Sequence, residues 1–343
     1  MSFSLAKQHK QKGVALITVM LIVALCAVIA SQMTARLQMQ MQRSANITYN
    51  QQAYWYAMSA EAFTKRVLIT AFKADENVTH LGQIWAQGET TYPVAFGEIS
   101  GEITDLQSCL NLNALRAPLT KLGKVGKVNN KAKLGDKVPA RIAFETLLIN
   151  LQLDDVSQFE AESMADSLTD WLDNNTTISG SGGAEDNDYA SREFPYLAAN
   201  NFLASVNEIR VIAHFTPAII KAIKPYVCVI PDSDQHNLNI NTINTEQPEL
   251  LQALLGSSLE EARQILSDRP DEGFETIAEF HNLNEVIKLN LTDSIKDQFV
   301  VDSEYFTLKA SASFNNSFFA MNSVMRVTNN KYIDVISRTI GRN

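Results

Sequence analysis

The sequence is short of the residues that most often carry chemistry or a covalent scaffold. It has three cysteines in 343 residues, too few for a disulfide-built scaffold or a cysteine-based zinc site. Its five histidines are scattered at 9, 80, 214, 236 and 281, with no His-Glu-x-x-His pair and no Gly-x-Ser-x-Gly elbow. The stretch Gly123-Lys-Val-Gly-Lys-Val lacks the spacing of a phosphate-binding Walker loop and reads as a solvated basic loop. No enzyme class finds its residues here, and the chain is read as a non-enzyme. Cationic charge is also scarce. A net charge of -9 opposes nucleic acid, and lysines gather only at Lys7, Lys10 and Lys12 and between Lys121 and Lys137. The apolar fraction of 45% is that of a globular protein, and the length allows two domains.

Two further absences shape the N-terminal part. From Gly13 to Ala35 there is no charged residue, and VALITVMLIVALCAVIA is almost wholly apolar. Roughly 20 such residues cross a bilayer, and the lysines before them place the N-terminus in the cytoplasm. A cleaved signal peptide ending near Ala30–Ser31 and a retained anchor both satisfy this pattern. From Gln32 to Lys73 there is neither proline nor glycine, and Ala, Met, Gln, Leu and Arg dominate. Tyr56, Ala60, Phe63, Val67 and Ala71 recur at helical spacing. The pattern predicts one helix of about 60 residues, on the order of 90 Å long, half in lipid and half on a globular domain.

The junction Lys12-Gly13-Val14, followed by that apolar run, resembles a prepilin leader. The resemblance implies that a prepilin peptidase cuts between Gly13 and Val14 and methylates the new N-terminus, so that the apolar segment is kept. Thr18 departs from the general pilin pattern, which has Glu at the fifth residue after the cut. A carboxylate buried among apolar helices needs a cationic partner. In a fibre that partner is the N-terminal amine of the next subunit towards the tip. A topmost subunit has none, and a neutral residue at position 18 fits that place.

The body reads as α+β. Strand-like alternation spans Val94–Thr104, and Tyr305–Phe314, Ser317–Thr328 and Lys331–Ile340 read as three strands separated by Asn-Asn turns at 315–316 and 329–330. Between them, Ala140–Leu151, Ser157–Leu172, Val206–Ile209, Pro217–Ile223, Gln247–Leu255, Ser258–Asp268 and Thr276–Phe280 carry helix-spaced apolar residues. With the motifs DLQSCLNLNAL, LTDWLDNN, GGAEDNDY, FLASVNEIR and NLNINTIN, the chain resembles the K-type minor pseudopilins of type II secretion systems. The resemblance implies a long N-terminal helix packed on a small antiparallel sheet that is interrupted by a large, mostly helical inserted domain. The expected parts are a leader (1–13), a membrane half of the helix (14–35), the pilin-like helix and sheet (36–113 and 300–343) and the insertion (114–299). It further implies a single-pass inner-membrane protein with a periplasmic head, working with I- and J-type minor pseudopilins at the pseudopilus tip. The H type is a further candidate partner, beside the inner-membrane assembly platform.

Asp170, Asp173, Glu185, Asp186 and Asp188 bracket a glycine-rich bend. Oxygen side chains of this kind suit Ca²⁺, although the spacing is not that of an EF-hand, and composition alone favours a solvated acidic loop. The resemblance implies a structural calcium, with Asp173, Glu185 and Asp186 the first choices as ligands. Cys26 lies in the apolar segment, so Cys109 and Cys228 are the pair available for a disulfide; two free thiols remain the alternative. A rival reading comes from residues 200–285, where NINTIN, ELLQALLG, ARQIL and Gly273-Phe-Glu-Thr resemble a helix-hairpin-helix module of DNA-uptake receptors, echoed at Phe202–Arg210. The acidic turn Gly256-Ser-Ser-Leu-Glu-Glu would repel phosphate, which opposes DNA binding.

Overall fold

The structure, a computed structural model, describes residues 13–116, 137–154, 156–329 and 332–341. The leader up to residue 12 and the basic stretch 121–136 lie outside the described residues.

Helix α1 (Val14–Ala74) runs unbroken for 61 residues, as its uninterrupted run of helix-forming residues predicts. Among the described residues nothing packs against its first half, and Val14, Leu16, Ile22, Val28 and Leu37 are all exposed. From Ala53 onward one face is buried through Ala53, Ala57, Ala60, Thr64, Leu68 and Ala71, in steps of three and four residues. The alanines have no bulk to hold the helix backbone away from the sheet beneath.

That sheet is five-stranded and antiparallel, in the order β1 (Thr90–Val94), β2 (Gly97–Asp105), β7 (Tyr305–Phe314), β8 (Ser317–Thr328) and β9 (Tyr332–Ile340). Val94–Thr104, expected as strand, ends one strand and supplies most of the next, with a tight turn between them. Phe96 takes a φ of 61° and turns β1 back on β2. Gly97 lets the strand that carries Ser313 come close, since a Cβ there would overlap the Ser313 carbonyl. Asn315 and Asn329 supply the left-handed turn conformation between β7, β8 and β9. Phe306, Leu308 and Ala310 of β7 and Met321, Met325 and Val327 of β8 form one core with α1.

The helical head has a second, larger core and an internal duplication. Its first unit runs from β3 (Leu110–Asn111) through α2 (Pro139–Asn150), α3 (Gln158–Leu172), α4 (Asp186–Ala190) and α5 (Pro217–Ile223) to β4 (Val227–Cys228). The second runs from β5 (Leu238–Asn239) through α6 (Pro248–Leu255), α7 (Leu259–Ser267), α8 (Ile277–His281), α9 (Asn284–Lys288) and α10 (Asp293–Lys296) to β6 (Phe299–Val300). Each unit closes with a short parallel bridge, Leu110 opposite Val227 and Leu238 opposite Phe299. The same asparagine device latches both. Asn113 accepts from the Leu203 N–H at 2.8 Å and donates to the Leu203 carbonyl at 3.1 Å. Asn241 does the same to Phe274, at 2.8 and 3.0 Å. The echo at Phe202–Arg210 is therefore a repeated structural unit. Val206–Val211 within it is a 3₁₀ helix, begun by the Ser205 cap.

Head, sheet and stem meet at a buried carboxylate. Asp105, at the end of β2, accepts from the Ser303 hydroxyl at 2.6 Å, the Thr242 hydroxyl at 2.5 Å and the Gln107 N–H at 2.7 Å. Beside it Asn239 donates to the Thr79 carbonyl just beyond α1, at 3.0 Å. Burial raises the Asp105 carboxyl to about 6, against the opposing effect of its hydrogen bonds.

Candidate functional site

The candidate functional residues lie at three places along the chain: the start of the stem, the acidic bend of the head and the junction between head and sheet. At the stem, Gly13 is the last residue before α1, with a φ of 142°, and Val14 begins the helix. Among the described residues nothing covers Gly13 or Val14, and both are exposed. Thr18 is satisfied inside its own helix, its hydroxyl lying 3.1 Å from the Val14 carbonyl and 2.9 Å from that of Ala15. No external partner is needed at this position, whereas a carboxylate there would need one.

The acidic bend follows α3. Asp170 is fully buried and accepts from the Ser179 N–H at 2.9 Å. Asp173 ends the helix and accepts from the Asn175 N–H at 3.0 Å. Gly183 has no room for a side chain, because a Cβ would overlap the Asp170 carboxylate. Two residues on, Glu185 is only 3% exposed, and neither carboxylate oxygen has a hydrogen-bond partner. Burial, with Asp170, Asp173 and Asp186 nearby, pushes its carboxyl up to about 7. Asp170 is also raised, by burial first and then by Asp173. The other expected ligands have backbone work: Asp186 accepts from the Ala198 N–H and Asp188 from the Glu185 N–H, both at 3.0 Å. As the side chains stand, no three His, Cys, Asp or Glu among the described residues are drawn around one point.

What sequence reading missed is the wall of this bend. Trp171, Tyr189 and Tyr196 pack ring against ring, Trp171 edge-on to Tyr189 at 5.2 Å and Tyr189 stacked on Tyr196 at 5.3 Å. Arg192 covers both tyrosines. The signal was present as an aromatic cluster around the acidic motif, but its members come from different elements.

Cys109 and Cys228 are disulfide-bonded, with Cα atoms 5.8 Å apart. They sit in a small apolar cluster with Leu106, Ile230 and Tyr305, where the first unit of the head joins β7. Cys26 is free and exposed on the stem.

The helix-hairpin-helix features are turned to packing. Gly256 adopts the left-handed conformation that ends α6, and Ser258 caps α7. The first turn of α7 carries Glu260 and Glu261, at the helix end where a phosphate would have to sit. Arg269, which follows α7, points inward and donates to the carbonyls of Ile240 and Ile243 at 2.9 and 2.7 Å.

Comparison with known proteins agrees with this architecture. Two family models described as Type II secretion system (T2SS), protein K match residues 108–232 and 238–302, the two units of the head. Type II secretion system protein K of Aeromonas hydrophila is 41% identical over 268 residues, 78% of each chain. The protein of that name from Klebsiella pneumoniae is 33% identical over 320 residues, 93% of each. Among solved structures, one from the GspK-GspI-GspJ complex of the enterotoxigenic Escherichia coli type 2 secretion system matches with a TM-score of 0.75 and 29% identity. It covers 88% of this chain and 100% of that one. An unbroken stem on a five-stranded sheet, a duplicated helical head and these relationships together mean that the chain belongs to the type II secretion system protein K family, the K-type minor pseudopilins.

Proposed function

We propose that this protein caps the tip of the type II secretion pseudopilus and, with I- and J-type minor pseudopilins, initiates its assembly. The observation that carries the reading is Thr18, whose hydroxyl closes on its own helix. The stem therefore enters a bundle of apolar helices without asking for a cation from a subunit above it. A second support is the head. It projects from the sheet end of α1, so subunits can add below it along the stem, while the space above is taken. The solved relative in complex with GspI and GspJ supports I- and J-type partners.

In this reading prepilin peptidase removes residues 1–13, and Val14 becomes the methylated N-terminus of a stem held in the inner membrane, with sheet and head in the periplasm. The disulfide of Cys109 and Cys228 suits that oxidising compartment. The role is one of assembly, with no catalytic residue assigned. Labelling of intact fibres tests it. The expected result is a single label at one end, and labels at regular intervals along the shaft overturn it. N-terminal sequencing of the mature protein is expected to begin at Val14; a start after Ser31 would leave no stem.

The acidic bend fits a structural calcium on one observation, the unpartnered buried oxygens of Glu185. Asp170, Asp173 and Glu185 would hold it, with Asp186 and Asp188 alongside. The ion would supply the positive charge that these crowded carboxylates lack. Calorimetric titration is expected to register calcium binding that Glu185→Gln weakens strongly. Absence of heat and of any thermal stabilisation refutes it.

A further inference from the structure

The sheet has two ends with different surroundings. At one, β2 and β7 meet the head through Asp105 and Tyr305. The other lies beside the middle of α1, on the side of the membrane segment. It is formed by the β1–β2 turn at Phe96, the β7–β8 turn at Asn315 and the last residues of β9. All three pieces hold a large apolar side chain out to solvent. Phe96 and Ile340 are each 74% exposed, and Phe318, just past the second turn, is exposed as well. Phe96 does this from an unfavourable conformation, since a φ of 61° is rare in a bulky residue. Its ring, edge-on to Phe314 at 5.9 Å, gains little cover in return. Strain held where the side chain gains so little inside the fold points to a contact outside it.

The stem supplies the rest of this surface. Phe314 packs against Tyr49 at 5.6 Å and Tyr56 at 5.8 Å, and the Tyr56 hydroxyl donates to the Ala95 carbonyl at 3.0 Å. Tyrosine at the edge of an apolar surface is the composition of a membrane–water boundary. Between the membrane segment and this end, α1 carries Arg36 and Arg43 and no acid. The two arginines are two turns apart and so share a side of the helix, within about 80° of the face that carries the sheet. Glu98, exposed beside Gly97, is the opposing charge.

We infer that, before assembly, this end of the sheet rests on the anionic periplasmic surface of the inner membrane that anchors the stem. From Arg36, where the uncharged segment ends, to Tyr49 the helix rises roughly 20 Å. Upright, the sheet end stands about that far above the hydrocarbon. A lean of about 40° towards the sheet, within the range of spanning helices, brings it to roughly half that height, at the headgroups. Phe96, Phe318 and Ile340 then enter the interface, and Arg36 and Arg43 on the leaning side meet lipid phosphate. The bilayer is the surface nearest to this end, because the same unbroken helix is rooted in it. The head joins the far end of the sheet and stays clear. The inference rests on the reading of the stem as a membrane anchor with the head in the periplasm, and adds a second contact with the same bilayer.

The test uses the full chain alone, carrying Cys26→Ser, in vesicles of phosphatidylethanolamine and phosphatidylglycerol. A fluorophore at Asn316→Cys reports on the sheet end and one at Phe194→Cys on the head, each against a quencher carried on lipid headgroups. Quenching at Asn316→Cys is expected to be at least threefold the stronger. Phe96→Asn, which suits the left-handed turn, combined with Ile340→Ser is expected to abolish that difference without lowering the melting temperature. Glu98→Lys is expected to strengthen the quenching, and phosphatidylcholine in place of phosphatidylglycerol to weaken it several-fold. Equal quenching of the two labels overturns the inference, as does a contact that survives Phe96→Asn with Ile340→Ser. If that variant keeps the vesicle contact and loses its I- and J-type partners instead, the surface belongs to a subunit and the inference fails. A fluorophore on the native Cys26 is read separately against a quencher in the acyl chains. No quenching there overturns the membrane anchor itself and this inference with it.

Discussion

At the scale of single residues, the head keeps its shape through buried polar groups whose partners are far away in sequence. Asn241 holds both the N–H and the carbonyl of Phe274. Asn241→Leu leaves both unpaired and is expected to cost about 2–4 kcal/mol of stability in denaturant titration. Glu185 is the titrating counterpart. Its carboxyl is raised from 4.5 to about 7 in the fold, so the folded state binds the proton more tightly than the unfolded chain. Its contribution is full below about pH 4.5 and is lost as pH rises towards 7. Without calcium, the Glu185 contribution to the melting temperature is expected to fall from pH 5 to pH 7.5, against the opposite slope of buried His236, whose imidazole burial lowers to about 4, and calcium is expected to remove part of that fall. Asp105, raised to about 6, adds a slope of the same sign that calcium leaves alone. The difference between the two curves therefore isolates the bend, and Glu185→Gln should abolish that difference. Such roles were poorly legible beforehand. The Asn-Leu-Asn and Asn-Ile-Asn motifs stood out, but nothing in them names Leu203 or Phe274 as partners.

At the scale of elements, the stem is fastened to the last strand by one charged clamp. Glu61, 3% exposed, is gripped by the Arg338 guanidinium at 2.6 and 2.8 Å. That pairing, foremost among several contacts, holds its carboxyl below the ordinary range. Arg338→Met strands a buried carboxylate and is expected to cost about 2–4 kcal/mol, with Glu61→Gln on the same chain recovering much of the loss. A double-mutant cycle by thermal unfolding measures it. Most elements were readable because each has its own local cause. The proline-free, glycine-free run made α1, Asn315 and Asn329 set the ends of β7 and β8, and Ser157 and Ser258 mark the starts of α3 and α7. The hairpin at Phe96 was not readable, since its turn depends on a positive φ in a bulky residue, which no residue type there signals. Helices α9 and α10 were missed because five and four residues are too few to show a period.

At the scale of the whole molecule, the covalent bond between Cys109 and Cys228 spans 119 residues and closes the first unit of the head. In the chain-entropy picture a loop of that size contributes on the order of 3–5 kcal/mol. Reduction, or Cys109→Ala with Cys228→Ala, is expected to lower the melting temperature of the whole head together, because one apolar core runs through both units. Differential scanning calorimetry under oxidising and reducing conditions reads this directly. The overall α+β plan was legible from the strands at either side of a helical middle. The duplication showed only as an echo, since the acidic bend and its flanks separate the matching segments of the first unit.

The interleaved sheet also dictates a timetable. Glu102 of β2 lies beside Lys309 of β7, 207 positions later. A polypeptide made from its N-terminus therefore finishes its stem and first hairpin long before the three strands that complete the sheet exist. Until then the alanine face of α1 has nothing to rest on, and the intervening segment must collapse around its own centre first. Contacts so distant in sequence form slowly, so the final strands are expected to set the folding rate, and a nascent chain halted before residue 305 is expected to present its stem without a completed sheet.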